Sequence, residues 1–448
     1  MIKNNYMNRV YQELQTKFGH QTEYLQAIQE FFSAIEPIVD SHPEYESKAI
    51  LERLVTPERI ISFRVPWLDD NGQVHINHGF RVQHSSLLGP YKGGLRFDPS
   101  VNESVLKFLA FEQTFKNSLT NLPIGGGKGG ADFNPRGKSD NEIMRFCQSF
   151  MTELSKYISE KQDVPAGDIG VGHREIGYML GQYKRLKGVE LGPLTGKPVS
   201  ANGSLARTEA TGYGVVYFAN EVLKEDQETL KGKKIIISGA GNVAFYAAQK
   251  AQQLGGQVIA MSNITGSIYD SEGIDLKIIA EINATNEQNF ANYVIKYPHA
   301  IFSKESVWSR SIKADIALPC ATQNEINGEQ AQNIIQNGIR YLIEGANMPS
   351  NTDATAIYNQ TNDFTWAPGK AANAGGVAVS ALEMTQNAMR LKWSFEEVDQ
   401  ELEKIMNKIF LQCKAACQTY HLGNNYAAGA DIYAFKNIVE LMNIHGII

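Results

Sequence analysis

Three lysines occupy settings in which an ammonium group has little but backbone around it. Lys92 lies in Gly89-Pro90-Tyr91-Lys92-Gly93-Gly94-Leu95-Arg96, Lys128 in Gly125-Gly126-Gly127-Lys128-Gly129-Gly130, and Lys116 on a helical pattern with Gln113 three residues before it. Flanking glycines let a substrate approach the main chain and leave the ammonium as the chief feature of the site. A spacing of three puts Gln113 and Lys116 on one helix face. Crowded cations and loss of water both disfavour the charged lysine and bring its pKa toward neutrality, so at least one of the three could exchange protons while others hold carboxylates. The complementary carboxylate is an aspartate of Asp163-Val164-Pro165-Ala166-Gly167-Asp168-Ile169-Gly170, and positioned proton transfer is worth roughly 10²–10⁴-fold in rate. The plain alternatives are lysines beside surface turns and a turn aspartate. A phosphate-binding Walker loop fails on spacing, since Leu122 stands where its first glycine belongs and Gly129 where its Ser or Thr belongs.

A second constellation is Gly239-Ala240-Gly241-Asn242-Val243-Ala244. It matches G-x-G-x-x-A, follows the apolar run 234–238 and opens a helical pattern, the context in which glycines bring backbone close to a dinucleotide's diphosphate at a helix N-terminus. The next strand ends Met261-Ser262-Asn263-Ile264, without the acid that holds a ribose 2′-hydroxyl in an NAD site. Neutral Ser262 and Asn263 tolerate a 2′-phosphate, yet no Arg or Lys adjoins them to attract one. The balance favours NADP and leaves NAD or dual use open.

The elements that must carry these residues follow from periodicity. Surface helices are predicted over 8–39, strands over 60–67 and 74–82 around an Asn71-Gly72 turn, and helices over 102–122 and 140–160. A Gly/Pro-rich connection at 188–203 marks a domain boundary. Beyond it, helices (208–224, 242–254) alternate with strands (233–238, 257–262, 314–318, 340–344, 364–366), the pattern of a parallel doubly wound sheet, and helical patterns at 376–391, 395–419 and 431–445 close the chain.

At 448 residues the chain is too long for one ordinary core. A net charge of −6 argues against nucleic acid as the main partner. No apolar run approaches the length of a membrane span, and the N-terminal residues lack the apolar core of an export signal, so a cytoplasmic protein is expected. The four cysteines are sparse, as in a reduced compartment. His75 and His78 point to opposite faces of their strand, so no metal is expected.

Taken in order, Lys92-Gly93-Gly94-Leu95-Arg96-Phe97, Gly125–Gly130, Pro165–Gly170, Gly239–Ala244, Pro319-Cys320-Ala321-Thr322-Gln323-Asn324-Glu325, Glu344-Gly345-Ala346-Asn347-Met348-Pro349 and Asn373-Ala374-Gly375-Gly376-Val377 resemble the motifs of the hexameric glutamate dehydrogenases of bacterial type. The resemblance runs over nearly the whole chain. It implies an α/β protein: an N-terminal substrate-binding and oligomerisation domain with a mixed sheet (1–200), a Rossmann-like doubly wound dinucleotide domain (201–425), a cleft between them, and a last helix returning to the first domain (426–448). It implies a homohexamer and reversible NAD(P)-dependent interconversion of L-glutamate with 2-oxoglutarate and ammonium. Carried over by motif, Lys92 and Ser380 would bind the substrate's side-chain carboxylate, and Lys116 and Gln113 its α-carboxylate. Lys128 would be the catalytic lysine and Asp168 the proton-transfer acid. Gly167, Thr195 and Val377 would line the substrate, while Arg207, Thr211, Gly239, Gly241, Asn242, Val243, Ser262, Asn263, Asn347 and Asn373 would line the cofactor. The chain departs from the commonest NADP pattern at Asn263, where Asp is frequent, and at Asn283, where some members carry Lys. A relative acting on branched-chain or aromatic amino acids would carry an apolar residue at position 92.

Overall fold

The Asn71-Gly72 turn forms, with Gly72 at φ 79°, and it joins β1 (Arg59–Leu68) to β2 (Val74–Ser85) in antiparallel register with Leu68 opposite Val74. Next to β2 lies a strand that periodicity does not foresee, β4 (Gly125–Ala131), which is the glycine-rich lysine segment itself. β4 pairs in parallel with β3 (Tyr91–Phe97), and β3 in parallel with β5 (Asp163–Gly167), giving the order β1-β2-β4-β3-β5. Glycine composition reads as loop because it has low strand propensity. Here close approach overrides propensity: a Cβ on Gly93 would fall 1.6 Å from the Gly127 carbonyl oxygen, and one on Gly126 would fall 1.9 Å from Thr114 Oγ1 on the overlying helix Glu103–Leu119.

This computed structural model describes residues 2–447. The chain divides into two compact units, one comprising the segment up to Leu205, Val377–Val398 and the segment from Asp431, the other Ala206–Gly376 and Asp399–Ala430. Val377–Val398 thus stands with the first unit, whereas the sequence reading places it in the second domain. The helices Gly375–Met389, Phe395–Thr419 and Tyr426–His445 each run across a change of unit, so no composition break or linker marks those boundaries.

Within the first unit the sheet separates two layers. Leu95 and Phe97 of β3 point into an aromatic core with Phe133, Phe146 and Phe150, where Phe133 and Phe146 stack at 3.8 Å. Alternation then places Lys92 and Arg96, with Lys128 of β4, on the opposite face. That face is covered by Glu103–Leu119, whose N-cap Asn102 accepts from the Val105 amide. The helix Thr22–Asp40 packs against it, with Phe31 stacked on Phe115 at 3.9 Å.

The second unit holds β6 (Lys234–Ser238), β7 (Gln257–Asn263), β8 (Gly266–Tyr269), β9 (Ile301–Ser303), β10 (Ile316–Pro319), β11 (Tyr341–Ile343) and β12 (Thr365–Ala367). Their order is β12-β11-β10-β6-β7-β8-β9. The five strands from β12 to β7 are parallel, as the βα alternation predicts, while β8 and β9 extend the sheet antiparallel. Both added strands lie outside the βα alternation on which the sequence reading relies, β8 following β7 through a tight turn with no helix between.

Candidate active site

In the first unit the lysine face is a floor of parallel strands carrying buried charge. Lys92 is 1% exposed and Lys128 6%, burial that an ammonium tolerates only with specific partners. Lys128 Nζ lies 3.3 Å from Asp168 Oδ1, and Arg96 Nε donates to Asp168 Oδ2 at 2.8 Å. Asp168 follows the carboxyl end of β5, where the Asp168 carbonyl accepts from the Val171 amide and Gly170 turns at φ 73°. That turn brings the carboxylate back over β3, and glycine at position 94 leaves room for it, because a Cβ there would meet Asp168 Cβ at 2.8 Å.

The electrostatics suit proton exchange. Burial lowers the pKa of Lys128, and Arg96 and Arg81 push it the same way, against the opposing pull of Asp168. Burial alone would raise Asp168, but Lys128 and Arg96 outweigh it and hold the carboxyl below its ordinary value. A lysine that can lose its proton therefore sits beside a carboxylate that stays ionised.

The two aspartates left open by sequence have different jobs. Asp163 is fully buried on the opposite face of the sheet, paired with Arg81 through Nε at 2.9 Å and through Nη2, and it also accepts from Gln83 Nε2 at 2.9 Å. Arg81 further donates to the Gly93 carbonyl at 3.1 Å. This pair braces β2, β3 and β5 beneath the lysines, and of the two aspartates only Asp168 lies beside Lys128.

Asn117 is a second residue that the sequence reading missed. Buried on Glu103–Leu119, it donates through Nδ2 to the carbonyls of Lys92 (3.0 Å) and Gly125 (2.6 Å), so its oxygen is left to accept Gln113 Nε2 at 2.7 Å. One amide thus ties β3, β4 and Gln113 together, with Lys116 as its chain neighbour on the same helix. The only signal for it is an asparagine four residues after Gln113, a spacing shared by many surface positions. Thr195 is fully buried, anchored by its amide to the Pro165 carbonyl at 2.9 Å, and its hydroxyl has no hydrogen-bond partner among the described residues. Gly167 lies at the end of β5. Val377 and Ser380 share a face of Gly375–Met389, with Ser380 buried.

The second unit gathers the other set. Gly239 turns at φ 91° after β6, and a Cβ there would crowd Ala321 at 3.1 Å, whereas a Cβ on Gly241 would meet nothing within 4 Å. Gly241 caps the helix Asn242–Gln253, which begins with Asn242 and Val243. An open glycine at a helix N-terminus fits a dinucleotide diphosphate. Ser262 Oγ accepts from the Gly239 amide at 3.4 Å. Asn263 is occupied within its own turn: Oδ1 accepts from the Thr265 amide and hydroxyl, and Nδ2 donates to the Gln288 carbonyl at 2.6 Å. Asn283 Nδ2 donates to the Ala240 carbonyl at 2.8 Å, bracing the glycine loop from behind.

Beyond β11, Asn373 Nδ2 donates to Asn347 Oδ1 (2.8 Å) and to the Gly345 carbonyl (3.0 Å). A Cβ on Gly376 would reach Thr211 Oγ1 at 2.6 Å and Arg207 Nη1 at 3.5 Å, so these three residues adjoin. Two glutamates shape the loops here. Glu325 accepts from the Ala321 amide and Trp308 Nε1, and burial raises its pKa. Glu344 accepts from the Gly369 amide, and burial pushes it up to about 7.

Comparison with known proteins gives two family matches: residues 202–446 match "Glutamate/Leucine/Phenylalanine/Valine dehydrogenase", and residues 57–185 match "Glu/Leu/Phe/Val dehydrogenase, dimerisation domain". The NAD-specific glutamate dehydrogenase of Clostridium symbiosum is 50% identical over 447 residues, covering 99% of each chain. The NADP-specific glutamate dehydrogenase of Psychrobacter sp. strain TAD1 is 48% identical, again over 99% of each. The solved structure of Plasmodium falciparum glutamate dehydrogenase 2 superposes with a TM-score of 0.95 at 47% identity, covering all of this chain and 98% of that one.

Proposed function

The chain belongs to the Glu/Leu/Phe/Val dehydrogenase family, and from that premise we propose that it is a glutamate dehydrogenase, aminating 2-oxoglutarate to L-glutamate reversibly with a nicotinamide cofactor. The observation that carries the substrate assignment is Lys92, an ammonium 1% exposed on the sheet floor. A lysine among strand glycines, on the sheet face that also carries Lys128, suits a substrate that brings a second carboxylate, whereas an aliphatic or aromatic side chain would call for an apolar residue at that place. Ser380 and Thr195 add hydroxyls, and Lys116 with Gln113 takes the α-carboxylate. The glutamate dehydrogenases at about 50% identity support the same reading.

Ionised Asp168 removes a proton from the incoming ammonium, and the ammonia so formed adds to the substrate's ketone carbon, giving the carbinolamine. Lys128, poised to exchange its own proton, polarises the ketone, protonates the carbinolamine oxygen and lets water leave, giving an iminium. A nicotinamide held by the second unit's residues would supply the hydride for reducing this iminium and would accept it in the reverse direction. Gly239, Gly241, Asn242 and Val243 would hold the diphosphate, Ser262 and Asn263 would lie toward the adenosine ribose, and Arg207, Thr211, Asn347 and Asn373 toward the nicotinamide.

NADP is the favoured cofactor in this reading, supported by the neutral end of β7, with NAD use left to experiment. The homohexamer and the cytoplasmic location belong to the same reading, supported by the family resemblance and by four buried, unbridged cysteines. No helix among the described residues is long and apolar enough to cross a membrane.

Initial rates with 2-oxoglutarate, ammonium and each reduced cofactor, beside 2-oxoisocaproate as the uncharged acid, test the assignment. Activity is expected on 2-oxoglutarate alone. Lys92→Leu should lower kcat/KM for 2-oxoglutarate by the equivalent of about 3–5 kcal/mol, the cost of leaving a buried charge unpaired. A wild-type preference for the uncharged acid would overturn the reading.

A further inference from the structure

Lys197 and Glu383 form an ion pair that the reaction does not use. Both are fully buried, and Lys197 Nζ donates to Glu383 Oε1 at 2.6 Å. The pair is also the hub of a short loop: Lys197 Nζ donates to the Leu194 carbonyl at 2.6 Å, and the Gly196 amide donates to Glu383 Oε2 at 3.0 Å. Every one of these contacts grips residues 194–197, and Thr195 lies at their centre.

Glu383 projects from Gly375–Met389, one turn after Ser380 and two after Val377. The same helix continues the grip farther on, where Gln386 Nε2 donates to Ser204 Oγ at 2.8 Å and Asn387 Nδ2 to the Asn202 carbonyl at 3.0 Å. The opposite side of the loop is fixed to the strand floor by the bond from the Thr195 amide to the Pro165 carbonyl. A buried ion pair is a poor source of net stability, because desolvation offsets the attraction. What it supplies is directional: three hydrogen bonds that hold one loop at one height on one helix. The group so held, the Thr195 hydroxyl, is fully buried and unpartnered among the described residues.

We propose that Glu383 and Lys197 are positioning residues for substrate selection, a buried clamp that sets the Thr195 hydroxyl in register with Ser380 and Val377 so that these three side chains meet the dicarboxylate together. This rests on the assignment of 2-oxoglutarate as substrate. The clamp touches no reacting atom. It acts by fixing where a substrate-binding loop sits on the helix that carries the other substrate-binding side chains, and misplacement by about 1 Å at such a site costs up to ~10²-fold.

The test compares Glu383→Gln, Lys197→Met and the apolar pair Lys197→Met/Glu383→Leu with wild type, reading melting temperature, KM for 2-oxoglutarate, kcat, and affinity for the reduced cofactor by nucleotide fluorescence. The single variants should raise KM for 2-oxoglutarate at least about tenfold and leave cofactor affinity within twofold. The apolar pair, free of uncompensated charge, should recover the melting temperature but not KM, because the bonds to the Leu194 carbonyl and the Gly196 amide stay lost. A KM that returns to wild type together with the melting temperature would reduce the pair to a structural role and overturn the proposal, as would folded single variants with unchanged KM. If a single variant does not fold, the apolar pair alone decides. Wild type inactive on 2-oxoglutarate would sink the substrate assignment and the clamp with it, whereas an active wild type beside insensitive variants sinks the clamp only.

Discussion

The two units carry charge in opposite ways. In the first unit side-chain cations are buried on a strand floor: Lys92, Lys128 and, beneath them, Arg81 locked to Asp163. In the second unit the predicted set is mostly uncharged, with an open glycine at a helix N-terminus, hydroxyls, and amides such as Asn373 and Asn347, and Arg207 as its one cation. Of its carboxylates, half-buried Glu325 accepts from the Ala321 amide and the Trp308 indole, and buried Glu344 accepts from the Gly369 amide through Oε2, with burial raising both. A severed buried ion pair costs about 3–5 kcal/mol, whereas a helix-terminus interaction contributes about 0.3–2 kcal/mol. Single substitutions should therefore hurt the first unit's residue set far more than the second's.

The largest effect is expected at Lys128. Lys128→Met removes the proton-exchanging group, and kcat should fall by about 10²–10⁴-fold while cofactor affinity, measured by fluorescence titration, stays within twofold. A fall below tenfold would move the acid–base work to another residue. Next in size is Arg81→Met, which leaves Asp163 buried without its cation. Urea unfolding should show a loss of about 3–5 kcal/mol. Adding Asp163→Leu should recover most of it, and failure to recover would mean that the pair does more than brace the sheet.

Asp168→Asn separates charge from shape. The Asp168 anion raises the Lys128 pKa against the burial that lowers it, so the amide should let that pKa fall further. The limb of the kcat/KM profile that follows Lys128 must then move to lower pH. A limb that stays in place or moves up would show that another group is titrating. The fall in kcat should remain within the span set by Lys128→Met, since Asn can still hydrogen-bond where Asp168 accepts from Arg96.

The same contrast explains what could be read without a structure. Lys92, Lys128 and Asp168 stand out because glycine surrounds them, and the fingerprint at Gly239–Ala244 stands out because strand and helix flank it within a dozen residues. The supporting groups are assembled from distant segments: Arg81 meets Asp163 across 82 positions and Lys197 meets Glu383 across 186. Nothing local distinguishes Arg81 from a surface arginine. The strand β4 was hidden for the opposite reason, since its glycines carry no periodicity even though the sheet requires them. In the second unit, βα alternation located the parallel core but not the short antiparallel β8 and β9.

The smallest predicted effect probes the second unit at the end of β7, where the lack of charge matters. Asn263 Oδ1 accepts twice from Thr265, and Nδ2 donates once to the Gln288 carbonyl. Asn263→Asp keeps both accepted bonds and loses only the donated one, so the β7–β8 turn should survive and the fold should be little disturbed. What changes is one negative charge at the end of β7, where it would repel a 2′-phosphate and accept from a ribose hydroxyl. kcat/KM with NADPH should fall by about tenfold, the equivalent of about 1.4 kcal/mol, while that with NADH holds or rises. Equal losses with both cofactors would instead mean that the bond to Gln288 shapes the pocket and that charge at this position does not select the nucleotide.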